Sequence, residues 1–303
     1  MRLLLVDGHY YAYRSFFAIR DLTNSCGEPT NAVFGFVKAL RKMLADVKPD
    51  AAAVVWDAGL PERRMQLLPS YKQQRDETPD DLARQFPVIE EAVSALGVHN
   101  VSLPGHEADD LIASYAAAAR EGQAEVVIAT NDKDIYALVG EGVRVYSTNK
   151  TDLKDPKDGF TLLGPLEVEE KWGVPPGRIP DVLALTGDAV DNIPGVEGVG
   201  PKTAAKLVRE HGSTALLAEN PALIKNEKLR VKVTVAAERL RDNLELVRLD
   251  CDLPLPVALP ELNISADPAA VVELARKCEF RSLLAEYEKM AGEATSVAQG
   301  ELF

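Results

Sequence analysis

Acidic side chains recur at the boundaries of the predicted elements of this 303-residue chain: after short apolar segments, at the opening of a helix, and in the turn before a glycine-rich loop. Nine residues share that placement: Asp7, Asp57, Glu107, Asp109, Asp110, Asp132, Asp134, Asp188 and Asp191. Two carboxylates 4 Å apart repel by about 4 kcal/mol at an effective dielectric constant of 20, so a converging set needs a cation. Oxygen ligands without His or Cys favour Mg²⁺ or Mn²⁺, and two such ions suit the hydrolysis of a phosphodiester.

A simpler interpretation exists for some of these residues, because helix N-termini favour acidic side chains. It explains Asp109 or Asp110, which open a predicted helix. It does not explain four others, which end or follow predicted strands at the same edge of one sheet: Asp7, Asp57, Asp132 and Asp134. The metal hypothesis therefore depends on where those strands lie.

The segments that would position the acids alternate between strand-like and helical patterns up to about residue 150. Short apolar runs predict strands at Leu3–Val6, Ala52–Trp56, Val98–Leu103, Glu125–Ala129 and Val143–Tyr146. Apolar residues at three- and four-residue spacing predict helices at Ala32–Val47, Leu82–Leu96 and Ala108–Glu121. This order predicts an α/β fold with a central, mostly parallel sheet flanked by helices, whose ligand site lies beyond the carboxyl ends of the strands.

After about residue 160 the strand signal fades and helical patterns dominate. Helices are predicted at 165–173, 180–187, 202–211, 232–249 and 279–290. Between the second and third, the glycines of residues 195–200 predict a tight loop, and Pro201 suits the first turn of the next helix. We therefore expect an α/β catalytic body over 1–160, a helical region over 161–290 and a flexible tail over 291–303.

Composition excludes several classes of protein. The chain has 47 acidic and 34 basic residues, a net charge of −13, so contact with nucleic acid must be local rather than through bulk charge. Its apolar runs are far shorter than the roughly 18–20 residues of a membrane span, and the N-terminus has no signal-peptide pattern. Three scattered cysteines cannot form a disulfide framework. These features predict a cytoplasmic protein with no membrane partner.

Five acidic motifs resemble, in order, those of the bacterial 5′ nuclease (flap endonuclease) family, the 5′–3′ exonuclease domain of DNA polymerase I that also occurs as a free-standing protein. They are residues 4–9 (LLVDGH), 55–57 (VWD), 107–110 (EADD), 130–134 (TNDKD) and 186–195 (TGDAVDNIPG). The resemblance implies a PIN-like fold with a helix-three-turn-helix in the C-terminal region. It also implies two Mg²⁺ or Mn²⁺ ions, a location in the bacterial cytoplasm with the nucleoid, and a monomer.

The resemblance assigns the nine acids to the two metals. Asp57, Glu107, Asp109 and Asp110 resemble ligands around the first metal, and Asp132, Asp134 and Asp191 resemble ligands around the second. Asp7 and Asp188 are similar to acids that act through metal-bound water. All nine positions agree with the family pattern, which argues against an inactive relative.

Residues 63–75 resemble part of the family's helical arch, expected here over about 60–96, through which a single-stranded 5′ end passes. Arg64, Lys72 and Arg75 would hold the scissile phosphate and stabilise its developing charge. Tyr71 would stack on an unpaired base. The alternative is a solvated helix face, and Arg63 departs from the aromatic residue that relatives commonly carry. Near the N-terminus, Tyr13 and Arg14 resemble an element that meets the base of the flap.

The glycine loop resembles the helix-three-turn-helix element that grips the duplex backbone. Successive backbone N–H groups and a helix N-terminus offer donors to a phosphate. The residues expected to contact DNA are Gly195, Gly198, Gly200, Lys202, Thr203 and Lys206. Between residues 200 and 241 nine basic residues stand against four acidic ones, which supplies the local positive patch. In the family a K⁺ ion can occupy this loop through carbonyl oxygens.

The last five residues resemble the bacterial sliding-clamp-binding motif, in which a glutamine is followed by a Leu-Phe pair. Gln299, Leu302 and Phe303 would be the anchors, and binding to the clamp is a hypothesis because a terminal Leu-Phe pair can also arise by chance or pack on the body.

The resemblance implies a structure-specific 5′ nuclease that cuts 5′ flaps and displaced or RNA-primed strands of branched DNA in replication and repair. A catalytically silent junction-binding protein is an alternative, but it would lack metal ligands that this sequence has. A PIN-like ribonuclease is another, but such proteins usually lack the helix-three-turn-helix loop.

Overall fold

The computed structural model describes residues 1–155 and 157–300, with side chains described up to residue 290. Its strands are β1 (Arg2–Asp7), β2 (Ala51–Trp56), β3 (His99–Ser102), β4 (Glu125–Ala129), β5 (Val143–Ser147), β6 (Thr161–Leu163), β7 (Gly187–Asp188) and β8 (Ile193–Pro194). Its α-helices are α1 (Gly8–Ala18), α2 (Asn31–Val47), α3 (Glu62–Leu67), α4 (Asp80–Ala83), α5 (Phe86–Ala95), α6 (Ala108–Glu121), α7 (Pro165–Trp172), α8 (Ile179–Thr186), α9 (Pro201–His211), α10 (Thr214–Glu219), α11 (Glu227–Leu246), α12 (Pro268–Lys277) and α13 (Arg281–Gly300). Short 3₁₀ helices include Asp134–Leu138.

The chain forms two compact units, the first made of residues 1–56, 78–102 and 256–303. Its strands β1, β2 and β3 are parallel, with Leu3 opposite Ala51 and Ala53 opposite His99. β1 and β2 are apolar along almost their whole length and nearly all buried, as expected of parallel strands covered on both faces. Helices α1, α2 and α5 bury one face each, and Asp7 caps α1 by accepting a hydrogen bond from the Tyr10 N–H at 2.9 Å.

The second unit comprises residues 57–77 and 103–255. β4 and β5 run parallel, and β6 pairs with β5 in the antiparallel direction. Helix α6 buries residues such as Leu111, Ile112 and Tyr115. The helical part follows, from α7 to α11, and α9 begins at Pro201 after Gly200, as the sequence predicts.

The predicted fold class, mainly parallel strands flanked by helices with a helical C-terminal region, is confirmed. Three details differ. Helix α1 was not predicted. The segment expected as an arch over 60–96 is helical only in short pieces before residue 86, and α5 buries Ile89 and Val93 in the first unit. The last helix continues to Gly300, where the sequence predicts a flexible tail from 291.

Leu302 and Phe303 lie outside the described residues, as does the side chain of Gln299. No helix in the described part of the chain combines the length and the apolar run needed to cross a bilayer.

Candidate active site

Eight of the nine predicted acids lie in the second unit, and Asp7 lies in the first. Their elements explain their placement. Asp57 opens the unit and accepts a hydrogen bond from the first N–H of α6, that of Ala108, at 2.7 Å. Glu107, Asp109 and Asp110 stand at the N-terminus of α6, where the helix dipole favours negative charge. The remaining four are Asp132 and Asp134, in the turn after β4, and Asp188 and Asp191, in the β7–β8 hairpin.

The β7–β8 hairpin is tight, and two glycines make it so. Gly187 has a φ of +68°, in the region that favours glycine. A Cβ on Gly195 would overlap the backbone of Thr186, so the chain can approach this closely only without a side chain. Asp188 pairs with Ile193 across the hairpin, and its carboxylate accepts from the Val190 N–H at 2.9 Å. The glycines thereby fix the two acids that the turn carries.

Arg64 is the centre of a buried network rather than an exposed cation. Its guanidinium makes two hydrogen bonds of 2.7 Å to Asp110, pairs with Glu107, and donates to the carbonyls of Leu246 and Arg248 at 3.0 and 2.9 Å. Only 3% of Arg64 is exposed. The expectation that Arg64 holds the scissile phosphate therefore disagrees with the structure, because all of these donors already face protein acceptors.

Asp110 is correspondingly occupied. Its side chain is fully buried, and besides Arg64 it accepts from the Asp250 N–H at 3.0 Å. The Asp110 carboxylate, expected to be a ligand of the first metal, is thus already used in a structural ion pair with Arg64.

Tyr71 is also buried, with 3% of the residue exposed. Its hydroxyl donates toward Glu107 at 3.2 Å and toward Asp191 at 3.4 Å. Burial first, and then these two carboxylates, raise the pKa of Tyr71 far above its ordinary value. The predicted stacking on an unpaired base does not agree with this position, and Tyr71 instead joins two of the acids.

Lys72 and Arg75 contact the acids directly. The Lys72 ammonium pairs with Glu107 and lies 3.9 Å from Asp191, and the Arg75 guanidinium donates to Asp191 at 2.8 Å. Burial opposes the charged form of Lys72, but Glu107 and Asp191 outweigh it and raise the pKa of the ammonium. Lys72 has a φ of +56°, a strained conformation for a residue with a side chain, and its N–H donates to the Asp191 carbonyl at 3.1 Å.

The Asp132–Asp134 turn holds the most perturbed carboxyl groups. The Asp134 N–H donates to Asp132 at 2.9 Å, and the Asp134 Oδ1 atom is buried with no hydrogen-bond partner among the described residues. The pKa of Asp134 is raised well above its ordinary value, first by burial and then by Asp132, Asp191 and Asp188. Burial also raises the pKa of Asp132.

The sequence analysis gave no role to Lys133, between these two aspartates. Its ammonium pairs with Asp188 at 2.7 Å. A basic residue between two predicted ligands is the signal that could have identified it.

A set of acids that offers only oxygen ligands fits a hard divalent cation, as does a buried carboxylate oxygen with no hydrogen-bond partner among the described residues. In the described part of the chain, no group of three or more Asp, Glu, His or Cys side chains is arranged so that it could hold a metal ion. Lysine and arginine side chains lie among the carboxylates instead, as the contacts of Lys72, Arg75 and Lys133 show.

The predicted DNA-contact residues of the second unit lie on the loop before α9 and on its first turns. Lys202 and Lys206 are exposed, Thr203 is half-buried, and Gly198 has a φ of +73°. Helix α11 holds the loop, since Asn243, Arg239 and Lys232 donate to the carbonyls of residues 194, 195 and 197 at 2.9, 3.0 and 3.0 Å.

The two predicted contacts near the N-terminus belong to the first unit. Tyr13 is half-buried and its hydroxyl lies 2.7 Å from that of Thr78. Arg14 is exposed, with its guanidinium carbon 5.8 Å from the centre of the Tyr11 ring.

Two family descriptions match consecutive parts of the chain. Residues 2–173 match the 5′–3′ exonuclease N-terminal resolvase-like domain, and residues 174–269 match the 5′–3′ exonuclease C-terminal SAM fold. Together they cover most of the sequence.

Individual proteins agree with the family match. The 5′–3′ exonuclease of Aquifex aeolicus is 37% identical over 294 residues, which is 97% of each chain. The thermostable DNA polymerase I of Thermus thermophilus is 42% identical over 286 residues, 94% of this chain but 33% of the polymerase. The chain thus spans about a third of the length of the polymerase relatives it matches.

A solved structure shares the fold. The bacteriophage T5 D15 flap endonuclease, in a pseudo-enzyme–product complex with DNA and metal ions, has a TM-score of 0.64 and 21% identity, over 97% of this chain and 98% of that one. On the evidence of both family matches and of a full-length relative, the chain belongs to the 5′–3′ exonuclease family.

Proposed function

We propose that this protein is a structure-specific, metal-dependent 5′ nuclease that hydrolyses phosphodiesters of 5′ flaps and of displaced or RNA-primed strands in DNA replication and repair. The observation that carries the proposal is the contact of Lys72 and Arg75 with Glu107 and Asp191 inside an acidic cluster. Acids suited to divalent ions, beside cations suited to a phosphate, are what phosphodiester hydrolysis requires.

The cofactors would be two Mg²⁺ or Mn²⁺ ions. Asp57, Glu107 and Asp109 would hold one, and Asp132, Asp134 and Asp191 the other, with Asp7 and Asp188 acting through water. When bound, the ions would supply an activated water molecule and stabilise the leaving oxygen. Since Asp110 already faces Arg64, its part would be to keep that arginine in place beside Glu107.

The chain's own side chains would organise the phosphate. Lys72 and Arg75 now neutralise Glu107 and Asp191, and metal binding to these acids would leave both cations to hold the scissile phosphate. Tyr71 would stay in place as the donor that orients both carboxylates. The strained backbone at Lys72, tied to the Asp191 carbonyl, keeps the ammonium beside the acids.

Branched or flapped DNA with a 5′ end would bind through its backbone. Lys202, Thr203 and Lys206 would meet the duplex at the N-terminus of α9, and selectivity would come from the shape and bend of the DNA. Tyr13 and Arg14 would meet the base of the flap. A K⁺ ion would occupy the loop through carbonyl oxygens; those of residues 195 and 197 each accept one hydrogen bond, from Arg239 and Lys232, and keep a second lone pair.

The remaining proposals concern the setting of the reaction. The protein would act as a monomer in the cytoplasm, with the nucleoid. A sliding clamp of the bacterial type would bind Gln299, Leu302 and Phe303. Removal of Leu302 and Phe303 should then abolish clamp binding and leave flap cutting intact, and unchanged clamp binding would end this part of the proposal.

The test of the proposed activity is single-turnover cleavage of a 5′-labelled flap duplex with Mg²⁺, with EDTA, and with the same strand unpaired. We expect metal-dependent cutting near the junction, much faster on the duplex than on the unpaired strand. Binding to the flap without any cutting would contradict the proposal and would favour a silent junction-binding protein.

A further inference from the structure

The turn that carries Asp132 and Asp134 is held on both sides by side chains from other elements of the same unit. Before the turn, the Asn149 amide donates to the side-chain oxygen of Asn131 at 2.9 Å. After it, the hydroxyl of Tyr136, in the 3₁₀ helix Asp134–Leu138, accepts from the Lys171 ammonium at 3.1 Å.

Lys171 joins three elements. It stands on α7, and its ammonium donates to both carboxylate oxygens of Asp152 at 3.0 and 3.1 Å. The same ammonium lies 5.0 Å from the centre of the Tyr136 ring, within the range of a cation–π contact. Asp152, whose side chain is 6% exposed, also accepts from the Ser147 hydroxyl at the end of β5, at 2.7 Å.

This linkage bears on Asp134, because the 3₁₀ helix begins at that residue and contains Tyr136 two positions later. The buried Oδ1 atom of Asp134 has no hydrogen-bond partner among the described residues, so the backbone of the 3₁₀ helix must orient it. Tyr136 is 2% exposed and its hydroxyl is fixed by Lys171, which gives that short helix a polar attachment to α7.

We propose that Lys171 is a positioning residue for Asp134, and that through Tyr136 and Asp152 it sets the affinity of the divalent ion that Asp134 helps to hold. The inference rests on the proposed function, since it requires a metal at this carboxylate. Loss of groups that orient a ligand typically weakens metal binding by about 10–100-fold.

The experiment is a titration of the full chain with Mn²⁺ without DNA, in which electron paramagnetic resonance measures the free ion. Lys171→Met should lower the affinity for one Mn²⁺ ion by about tenfold or more. Lys171→Arg should retain most of the affinity, because a guanidinium can still donate to Asp152 and Tyr136. The matched control is Lys154→Met. Lys154 pairs at 3.0 Å with Glu167, which lies on α7 as Lys171 does, and its loss should leave Mn²⁺ affinity unchanged.

Tyr136→Phe provides a second variant in case Lys171→Met fails to fold, since it keeps the ring and removes only the acceptor. It should likewise lower the affinity for Mn²⁺. Unchanged affinity in both variants, or an equal loss in Lys154→Met, would overturn the positioning role alone. Absence of Mn²⁺ binding by the wild-type protein would overturn this inference and the proposed function together.

Discussion

The guanidinium of Arg64 holds the carboxylate of Asp110 through two hydrogen bonds of 2.7 Å, with the two side chains 4% and 0% exposed. The pair connects α3 to the first turn of α6. Arg64 also donates to the carbonyl of Arg248, just after α11, so it connects three parts of the unit. A buried ion pair is not in itself strongly stabilising, but removal of one partner leaves an uncompensated buried charge.

The first prediction follows from that buried charge. Arg64→Met should lower the free energy of unfolding by about 3–5 kcal/mol, measured by urea denaturation. Arg63→Met is the matched control, because Arg63 pairs with Asp250 at 3.1 Å but is 36% exposed, and such a pair contributes about 1 kcal/mol at most. Asp110→Asn on the Arg64→Met background should recover part of the loss. Equal losses at Arg63 and Arg64 would contradict the buried role.

A second prediction concerns pH and the metal-free protein. Burial and three neighbouring carboxylates raise the pKa of Asp134, so between the unfolded and folded pKa values the folded chain binds more protons than the unfolded chain. Its contribution to stability is therefore full below the unfolded value and is lost as pH rises through the folded pKa.

Thermal melting in EDTA, from about pH 5 to about pH 8, measures this effect. Asp134→Asn should melt at a higher temperature than the wild type at the upper end and should have a flatter pH dependence. Asp242→Asn, an exposed aspartate of α11, should keep the wild-type slope. If the wild type gained more stability than Asp134→Asn as the pH rose, the pKa of Asp134 could not be raised in the folded protein.

The sequence predicted on which elements the nine acids lie, because strand ends and helix starts are local features. Asp132 and Asp134 lie in the turn after β4, and Asp188 and Asp191 lie in the hairpin that requires glycine at positions 187 and 195. A pattern of spacing is sufficient to locate such residues, since their positions depend on neighbours in sequence.

The roles of Arg64 and Tyr71 could not be predicted in the same way. Arg64 donates to carbonyls about 180 residues later in the chain, and Tyr71 reaches Asp191, 120 residues away. Both residues are polar and lie in a segment rich in charge, so composition predicts exposure, whereas tertiary contacts bury them. Helix α1 was missed because aromatic residues on several of its faces obscure the apolar period.

A third prediction tests Lys72 in the chemical step. Lys72→Ala should lower the single-turnover cleavage rate by about 10²–10³-fold, the usual effect of removing one donor to a developing charge. The reason is its place beside Glu107 and Asp191, with the side chain 9% exposed. Arg84→Ala is the control, since Arg84 is 67% exposed and pairs with Asp81 one turn away. An unchanged rate in Lys72→Ala would remove this residue from the mechanism.

A fourth prediction separates DNA binding from cutting. Lys202→Ala should weaken binding to a flap duplex and reduce the slope of log affinity against log salt by about one, as expected for one lost phosphate contact. Lys202 is exposed in the first turn of α9, whose N-terminus has no side-chain cap hydrogen bond among the described residues. Lys38→Ala, on an exposed position of α2 in the other unit, should leave the slope unchanged. A wild-type slope in Lys202→Ala would mean that it makes no phosphate contact.

The fifth prediction tests the hairpin that carries Asp188 and Asp191. Gly195→Ala would push a methyl group into the Thr186 backbone, so the hairpin must open and displace both carboxylates. Mn²⁺ affinity should fall by at least about tenfold, as for other losses of ligand orientation, with a lower melting temperature as well. Gly177→Ala is the matched control, because a Cβ there meets nothing within 4 Å, and it should change neither quantity. If Gly195→Ala melted like the wild type and bound Mn²⁺ equally well, close approach of the two strands could not be what places these acids.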